Sequence, residues 1–187
     1  MINVMGPGRG WIEVISGPMF SGKTEELIRR LRRAQIAKLK VEIFKPKMDD
    51  RYDEDHLVTH NDQRIPSIAV TRAEDILDLV GDCDVLGIDE AQFLGPELVK
   101  VCEELATGGK RVIVAGLDQD YRGVPFEPIP QLLAVAEVIT KALAICVKCG
   151  APANRTQRIT SEGNRVVVGA QDKYEARCRM CYEPPEE

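Results

Sequence analysis

A strand-like run, a glycine-rich turn and a helix-like segment follow one another at residues 11–39, and this order limits the folds open to the chain. WIEVIS (residues 11–16) is β-branched and apolar, and residues 24–39 place apolar side chains near helical spacing. Between them, GPMFSGKT (residues 17–24) has glycines that permit backbone conformations closed to other residues. Successive amides of such a turn converge on phosphate oxygens at the positive end of the following helix. The stretch therefore predicts a phosphate-binding loop.

The turn fits the pattern G-x-x-x-x-G-K-[ST] in the strand-to-helix context that this pattern requires. Lys23 is placed to reach the β- and γ-phosphates of a nucleoside triphosphate, and the Thr24 hydroxyl to bind Mg2+. The alternative is a glycine-rich turn with an incidental lysine, which the flanking strand and helix disfavour. The residues predicted here to bind the nucleotide are Gly17, Pro18, Met19, Phe20, Ser21, Gly22, Lys23 and Thr24.

Apolar runs alternate with amphipathic segments from residue 11 to about residue 140. Alternation of this kind predicts an α/β fold, in which a parallel sheet is covered by helices on both faces. Besides the first strand and helix, the pattern predicts strands at 41–44, 84–89 and 111–116 and helices at 73–80, 96–106 and 130–138.

The apolar run at 84–89 ends in two adjacent carboxylates, Asp89 and Glu90. An Asp that ends a buried strand holds Mg2+ in P-loop proteins, and ligands collect at the carboxyl ends of strands in open α/β sheets. We therefore predict that Asp89 faces the metal and Glu90 faces a nucleophile. Gln92, two residues after Glu90 in the stretch DEAQF (89–93), is assigned with Asp89 to the nucleotide site. The alternative, that the acids only end the strand and cap the next segment, is weakened by the phosphate loop.

The six cysteines comprise two C-x2-C pairs and two isolated residues. Four thiolates suit a tetrahedral Zn2+ with no open position, so the predicted site is structural. The spacer between the pairs exceeds the common length of about 15–20 residues, which an inserted hairpin would explain. Two disulfides and an iron–sulfur centre are the alternatives. The predicted zinc ligands are Cys146, Cys149, Cys178 and Cys181, whereas Cys83 and Cys102 are expected to be buried.

The charge of the chain bears on its partners and location. The formal net charge is -5 and the sequence pI about 5.3, which argues against a general nucleic-acid or anionic-membrane binder. The chain contains no apolar stretch of about 18 residues, and its N-terminus lacks a signal-peptide core, so we expect a cytoplasmic protein with no membrane partner.

Three segments interrupt the alternation. Residues 46–66 are charged and almost without periodicity, so we expect a long mobile excursion whose His56 and His60 are surface histidines. Residues 119–130 are rich in Pro and Gly and are expected to form a covering loop. The composition changes near residue 144, which predicts two domains, 1–143 and 144–187. In the second domain, RTQRIT (155–160) and RVVVGA (165–170) are expected to form a hairpin.

Five separated motifs carry a resemblance to a known family: SGPMFSGKT, DEAQF, GLDQDYRGVPF, DKYEARCRMCY and the two cysteine pairs. In this order and at this chain length, they resemble type II thymidine kinases over roughly residues 10–182. The resemblance implies transfer of the γ-phosphate of ATP to the 5'-hydroxyl of thymidine, with Mg2+. It also implies a RecA-like α/β domain, a small zinc-bearing domain whose lasso loop closes over the nucleoside, homotetramers, and inhibition by thymidine triphosphate.

Residue roles follow from the same resemblance. Glu90 matches the catalytic base and Asp89 the metal-side carboxylate. Asp49 and Arg51 match a loop pair near the phosphates. The residues that match positions around the thymine are Met19, Leu117, Thr156 and Tyr174, and the aromatic positions are Phe93, Tyr121 and Phe126. The lasso residues whose backbone would bind the edge of the base are Val166, Val167, Val168, Gly169 and Ala170.

Two rival functions share some of these motifs. A RecA-like P-loop ATPase with a zinc-ribbon partner-binding module would use the same loop and carboxylates, but it would place water near Glu90. A zinc-ribbon binding module on a degenerate nucleotide domain would bind nucleic acid. The intact Lys23 and the acidic charge argue against the second rival. Tyr174 is also the one aromatic residue between the cysteine pairs, so a base-stacking platform is poorly supported.

Overall fold

The computed structural model describes residues 8–47, 56–58, 64–160 and 173–184, with backbone alone at 56–58 and 64–65. Several of the predicted positions therefore lie outside the described residues: Asp49, Arg51, His60 and the lasso residues 166–170.

A six-stranded parallel sheet forms the centre of the fold. The first eight strands of the described residues are β1 Trp11–Gly17, β2 Val41–Pro46, β3 His56–Val58, β4 Arg64–Pro66, β5 Ile68–Val70, β6 Val85–Ile88, β7 Arg111–Leu117 and β8 Val138–Lys141. The sheet has the order β5-β2-β6-β7-β1-β8, and all its neighbouring strands are parallel. β3 and β4 form a separate antiparallel pair.

Helices cover both faces of this sheet, as predicted. The four helices of the described chain are α1 Lys23–Ile36, α2 Asp75–Leu79, α3 Leu98–Thr107 and α4 Ile129–Val135. On one face, Leu27 and Leu31 of α1 pack with Ile15 and Ile113 of the sheet. On the other face, α2, α3 and α4 pack against the opposite side chains of the same strands. The α/β fold of P-loop type is thereby confirmed. No helix of the described part of the chain is long and apolar enough to cross a bilayer.

The structure corrects several predicted bounds. The first helix ends at Ile36 and not near residue 39, because Lys38 adopts a left-handed backbone with φ 64°. The helix predicted at 96–106 begins at Leu98, after Pro96. The segment 130–138 divides into α4 and the start of β8, which pairs with β1 at the sheet edge. The excursion at 46–66 contains the β3–β4 pair.

The four other strands of the described residues surround the paired cysteines. They are β9 Ala144–Ile145, β10 Pro152–Ala153, β11 Arg155–Arg158 and β12 Tyr174–Arg177. β9 pairs with β10 and β11 with β12, both in antiparallel fashion. The first strand of the predicted hairpin is therefore present. Its partner in the structure is β12, whereas the strand predicted at 165–170 lies outside the described residues.

Candidate active site

The phosphate loop joins the end of β1 to the start of α1. Gly17 is the last residue of β1 and Lys23 the first of α1. Gly22 caps the helix with a left-handed backbone (φ 77°), a conformation that glycine adopts without a steric penalty. The N–H of Glu26 donates to the Gly22 carbonyl at 3.0 Å, so the helix begins within the motif itself. The positive end of a 14-residue helix therefore opens at the predicted phosphate position.

Lys23 is half-buried among acidic side chains. Its Nζ donates to the Pro18 carbonyl at 2.7 Å, which folds the side chain back over the loop. Burial lowers the pKa of Lys23, while the charges of Glu90, Asp89 and Asp118 act in the opposite sense. The ammonium group and these carboxylates thus lie in one electrostatic environment.

Asp89 joins the phosphate loop to the strand that carries the acidic pair. The Thr24 hydroxyl donates to Asp89 Oδ2 at 2.9 Å, and the N–H of Glu90 donates to Oδ1 at 3.0 Å. Burial, and then the charge of Glu90, raise the pKa of Asp89 to about 7. A hydroxyl and a carboxylate at this separation are oxygen ligands of the kind that Mg2+ prefers, so the residues present fit that ion.

Sheet order explains why Thr24 and Asp89 meet although they are far apart in the chain. β7 lies between β1 and β6, and all three strands are parallel. Their carboxyl ends therefore share one edge of the sheet, which is where ligands bind in open α/β folds.

Glu90 follows Asp89 in an uncommon backbone conformation. Its φ of 50° and ψ of 38° are left-handed, and a 3-10 turn, Ala91–Phe93, begins directly after it. Non-glycine residues rarely adopt this region, and such strain clusters at functional sites. Gln92 Nε2 donates to Glu90 Oε2 at 2.6 Å, so the carboxylate is held from the side of the turn.

The residues assigned to the nucleoside fall into contacting groups. The rings of Phe93 and Phe126 meet edge to face, with centroids 5.9 Å apart. The N–H of Met19 donates to Thr156 Oγ1 at 3.0 Å, which joins the phosphate loop to β11. The Leu117 N–H donates to the side chain of Gln92 at 3.0 Å.

Tyr121 and Tyr174 are brought together by a residue that the sequence did not single out for this site. The Arg158 guanidinium lies 3.6 Å from the centre of the Tyr121 ring and donates to Tyr174 Oη at 2.8 Å. Arg155 lies with Arg158 in the segment that carries the paired cysteines, residues 144–160 and 173–184, which we call the cysteine-rich segment. Arg155 packs on the Tyr182 ring and donates to Gln119. Both arginines thus engage protein groups. No local signal in the sequence marks Arg158, because its partners are distant in the chain.

Asp118 is a further carboxylate beside the acidic pair; it is buried, and sequence reasoning missed it. It follows β7 as Asp89 follows β6, and it forms an ion pair with Lys141 at the end of β8. Its Oδ1 has no hydrogen-bond partner among the described residues. The sequence did contain a signal for Asp118, since GLD (residues 116–118) places an Asp directly after a buried strand, as at Asp89.

The four paired cysteines converge as predicted. Their Sγ atoms all lie within 4.8 Å of one another, and those of Cys149 and Cys178 are 3.7 Å apart. Tetrahedral Zn2+ with Zn–S bonds of about 2.3 Å separates its sulfur ligands by about 3.8 Å. None of the four is in a disulfide. The cluster therefore fits a structural zinc ion and does not support the disulfide alternative.

Comparisons with known proteins agree with this geometry. The family model described as thymidine kinase matches residues 10–182. A thymidine kinase of Rhodothermus sp. (strain ITI 518) is 63% identical over 176 residues, covering 94% of this chain and 83% of the relative. A thymidine kinase of Bdellovibrio bacteriovorus is 54% identical over 177 residues, covering 94% of this chain and 87% of the relative. The chain therefore belongs to the thymidine kinase family.

Proposed function

We propose that this protein is an ATP-dependent thymidine kinase that transfers the γ-phosphate of ATP to the 5'-hydroxyl of thymidine. Family membership and the two relatives named thymidine kinase support this activity. The structural observation that carries it is the position of Glu90. Its neighbour Asp89 binds the phosphate loop through Thr24, and its own carboxylate is linked through Gln92 to Leu117 on the nucleoside side.

Phosphoryl transfer depends on alignment and on cancellation of negative charge. Lys23 and the amides of the phosphate loop would hold the β- and γ-phosphates. Thr24 and Asp89 would hold Mg2+, which neutralises charge that develops on the phosphate oxygens. Glu90 would accept the proton of the 5'-hydroxyl as that oxygen attacks in line.

The nucleoside would lie between the phosphate loop and the cysteine-rich segment. The Phe93 and Phe126 pair and the buried Tyr121 are assigned to contacts with the nucleoside. Met19, Leu117, Thr156 and Tyr174 would surround the thymine and its methyl group. The backbone of residues 166–170 is proposed to bind the edge of the base. The Met19–Thr156 hydrogen bond supports this arrangement, because it joins one residue from each side.

The test of the catalytic role is Glu90→Gln, which keeps the size of the side chain and its link to Gln92. We expect kcat to fall by roughly 10²–10⁴, the usual contribution of a general base, with thymidine binding largely retained. Turnover within a few-fold of the wild-type rate would exclude Glu90 as the base.

ATP consumption with and without thymidine separates the kinase from the rival ATPase. A kinase consumes ATP in proportion to added thymidine and forms the 5'-monophosphate. Rapid ATP hydrolysis that thymidine does not stimulate would favour the ATPase with a zinc-ribbon module.

The finer assignments are proposals on the same basis. The division into 1–143 and 144–187 is supported by the separate small sheets around the cysteines. We propose Zn2+ as a structural ion that anchors the lasso, and thymidine triphosphate as a feedback inhibitor. A homotetramer is supported by the sheet edge, where Val138 and Ile139 of β8 are exposed apolar residues.

A further inference from the structure

We propose that Gln92 is a positioning residue that aims the Glu90 carboxylate from the backbone of Leu117 and does not itself bind ATP. This inference rests on the proposed kinase function, and it departs from the assignment of Gln92 to the nucleotide site. The observation behind it is a chain of two hydrogen bonds, from Leu117 N–H to Gln92 Oε1 and from Gln92 Nε2 to Glu90 Oε2.

The direction of the Gln92 amide is decided by chemistry. A backbone N–H can only donate, so the group that faces Leu117 N at 3.0 Å must be the carbonyl oxygen. The NH2 group must then face Glu90, whose Oε2 accepts its hydrogen bond at 2.6 Å. A flipped amide would place donor against donor at Leu117.

The surroundings of Gln92 leave the side chain little freedom. It is 3% exposed, in a 3-10 turn whose preceding residue has a left-handed backbone. Beside it, a Cβ at Gly116 would lie 3.0 Å from Gln92 Oε1 and 2.5 Å from Ile129 Cδ1, so only glycine leaves this space open. A buried amide with both ends bonded in such a space holds one geometry.

The consequence is a physical link between the nucleoside pocket and the base. Leu117 is assigned to the thymine pocket, and its N–H determines where the Gln92 amide lies. The amide in turn restrains the carboxylate that accepts the proton. A general base must be held within hydrogen-bond reach of that proton, and small displacements lower the rate without changing affinity for the other substrate.

Gln92→Met tests this link, because methionine has a similar length and shape but neither donates nor accepts strongly. We expect kcat to fall about tenfold to a hundredfold, the size associated with one hydrogen bond to a charged group. The KM for ATP should stay within about twofold. A raised KM for ATP with unchanged kcat would instead show that Gln92 binds the nucleotide and would overturn the proposal.

A double-mutant cycle separates positioning from general support of the fold. In the Glu90→Gln background, Gln92→Met should change kcat by less than about twofold, since the group it positions no longer acts as a base. An equal loss of kcat in both backgrounds would overturn the proposal. Wild type and Glu90→Gln are measured in the same assay, so a failure of the kinase function itself appears independently of Gln92.

Gln92→Glu keeps the proposal falsifiable should the methionine variant fail to fold. It preserves size and the acceptor for Leu117 N–H, but it replaces the donor to Glu90 by a second carboxylate. The repulsion should displace Glu90 and lower kcat at least as much as Gln92→Met, again with the KM for ATP retained. A kcat within twofold of wild type would contradict the inference.

Discussion

The hydroxyl of Thr156 offers a sharp test of how the cysteine-rich segment supports the phosphate loop. Thr156 lies in β11 and is buried, and its Oγ1 accepts the N–H of Met19 at 3.0 Å. Thr156→Val removes this acceptor while keeping a branched side chain of similar size. The free energy lost is then mainly that of one hydrogen bond and not that of a cavity.

The magnitude follows from the exposure of the two partners. A fully buried donor left without an acceptor costs about 1–3 kcal/mol. Met19 is partly exposed, so water can reach its amide and the lower part of that range applies. A loss of about 1–2 kcal/mol corresponds to a factor of 5–30 in an equilibrium constant. Because the bond joins the loop to β11, we expect binding of both ATP and thymidine to weaken.

Isothermal titration of each substrate, with Thr156→Ser as the matched control, measures this effect. Serine keeps the hydroxyl and loses only the methyl group, about 0.8 kcal/mol of apolar burial. ATP binding should therefore be near normal in Thr156→Ser and weakened in Thr156→Val. Equal ATP affinity in the two variants would refute the role given to the hydroxyl.

Three further predictions concern zinc, stability and specificity. Cys149→Ser should loosen the cysteine cluster and weaken thymidine binding while ATP binding survives. Calorimetry with each substrate and metal analysis check this. Loss of both thymidine binding and ATP binding would instead indicate global unfolding. Glu13 is buried and accepts from Arg30 and Arg111 at 2.6 and 2.7 Å. Burial alone would raise the pKa of Glu13, but bonds to Arg111 and Trp11 and the arginine charges lower it below 4.5. Glu13→Gln should cost about 3 kcal/mol of unfolding free energy near neutral pH, as expected for a broken buried ion pair. Because the pKa of Glu13 is lowered in the folded protein, this stabilisation is fully present above pH 4.5 and is lost as the pH falls through the folded-state pKa. The urea unfolding curves of wild type and variant should therefore converge in acid. Deoxyuridine should be phosphorylated about 10–200-fold less efficiently than thymidine, because an apolar pocket gains only about 1–3 kcal/mol from a methyl group. Deoxycytidine should be rejected more strongly, because its amine would leave buried groups unpaired; equal activity on deoxycytidine would contradict the pocket.

Patterns local in the chain predicted most of the central fold. The phosphate loop, the buried runs at β6 and β7 and the amphipathic α1 each carry their signal within a short window. β5 and β8 were missed at the two edges of the sheet: β5 has only three residues, too few for a periodic signal, and β8 begins at the end of the run that was predicted as one helix. β12 was missed as the partner of β11 because antiparallel pairing across a long insertion leaves no local mark.

The same division holds for the site. Spacing along the chain was enough to propose Lys23, Thr24, the acidic pair and each of the two cysteine pairs, because each of these motifs has its residues a few positions apart. Three contacts join residues that are 23–37 positions apart: the Gln92–Leu117 hydrogen bond, the Asp118–Lys141 ion pair and the stacking of Arg158 on Tyr121. Strand order and register decide which of these residues meet. Hydrogen bonds and ion pairs act over a few ångströms, so chemistry that depends on such long-range neighbours exists only once the sheet has assembled.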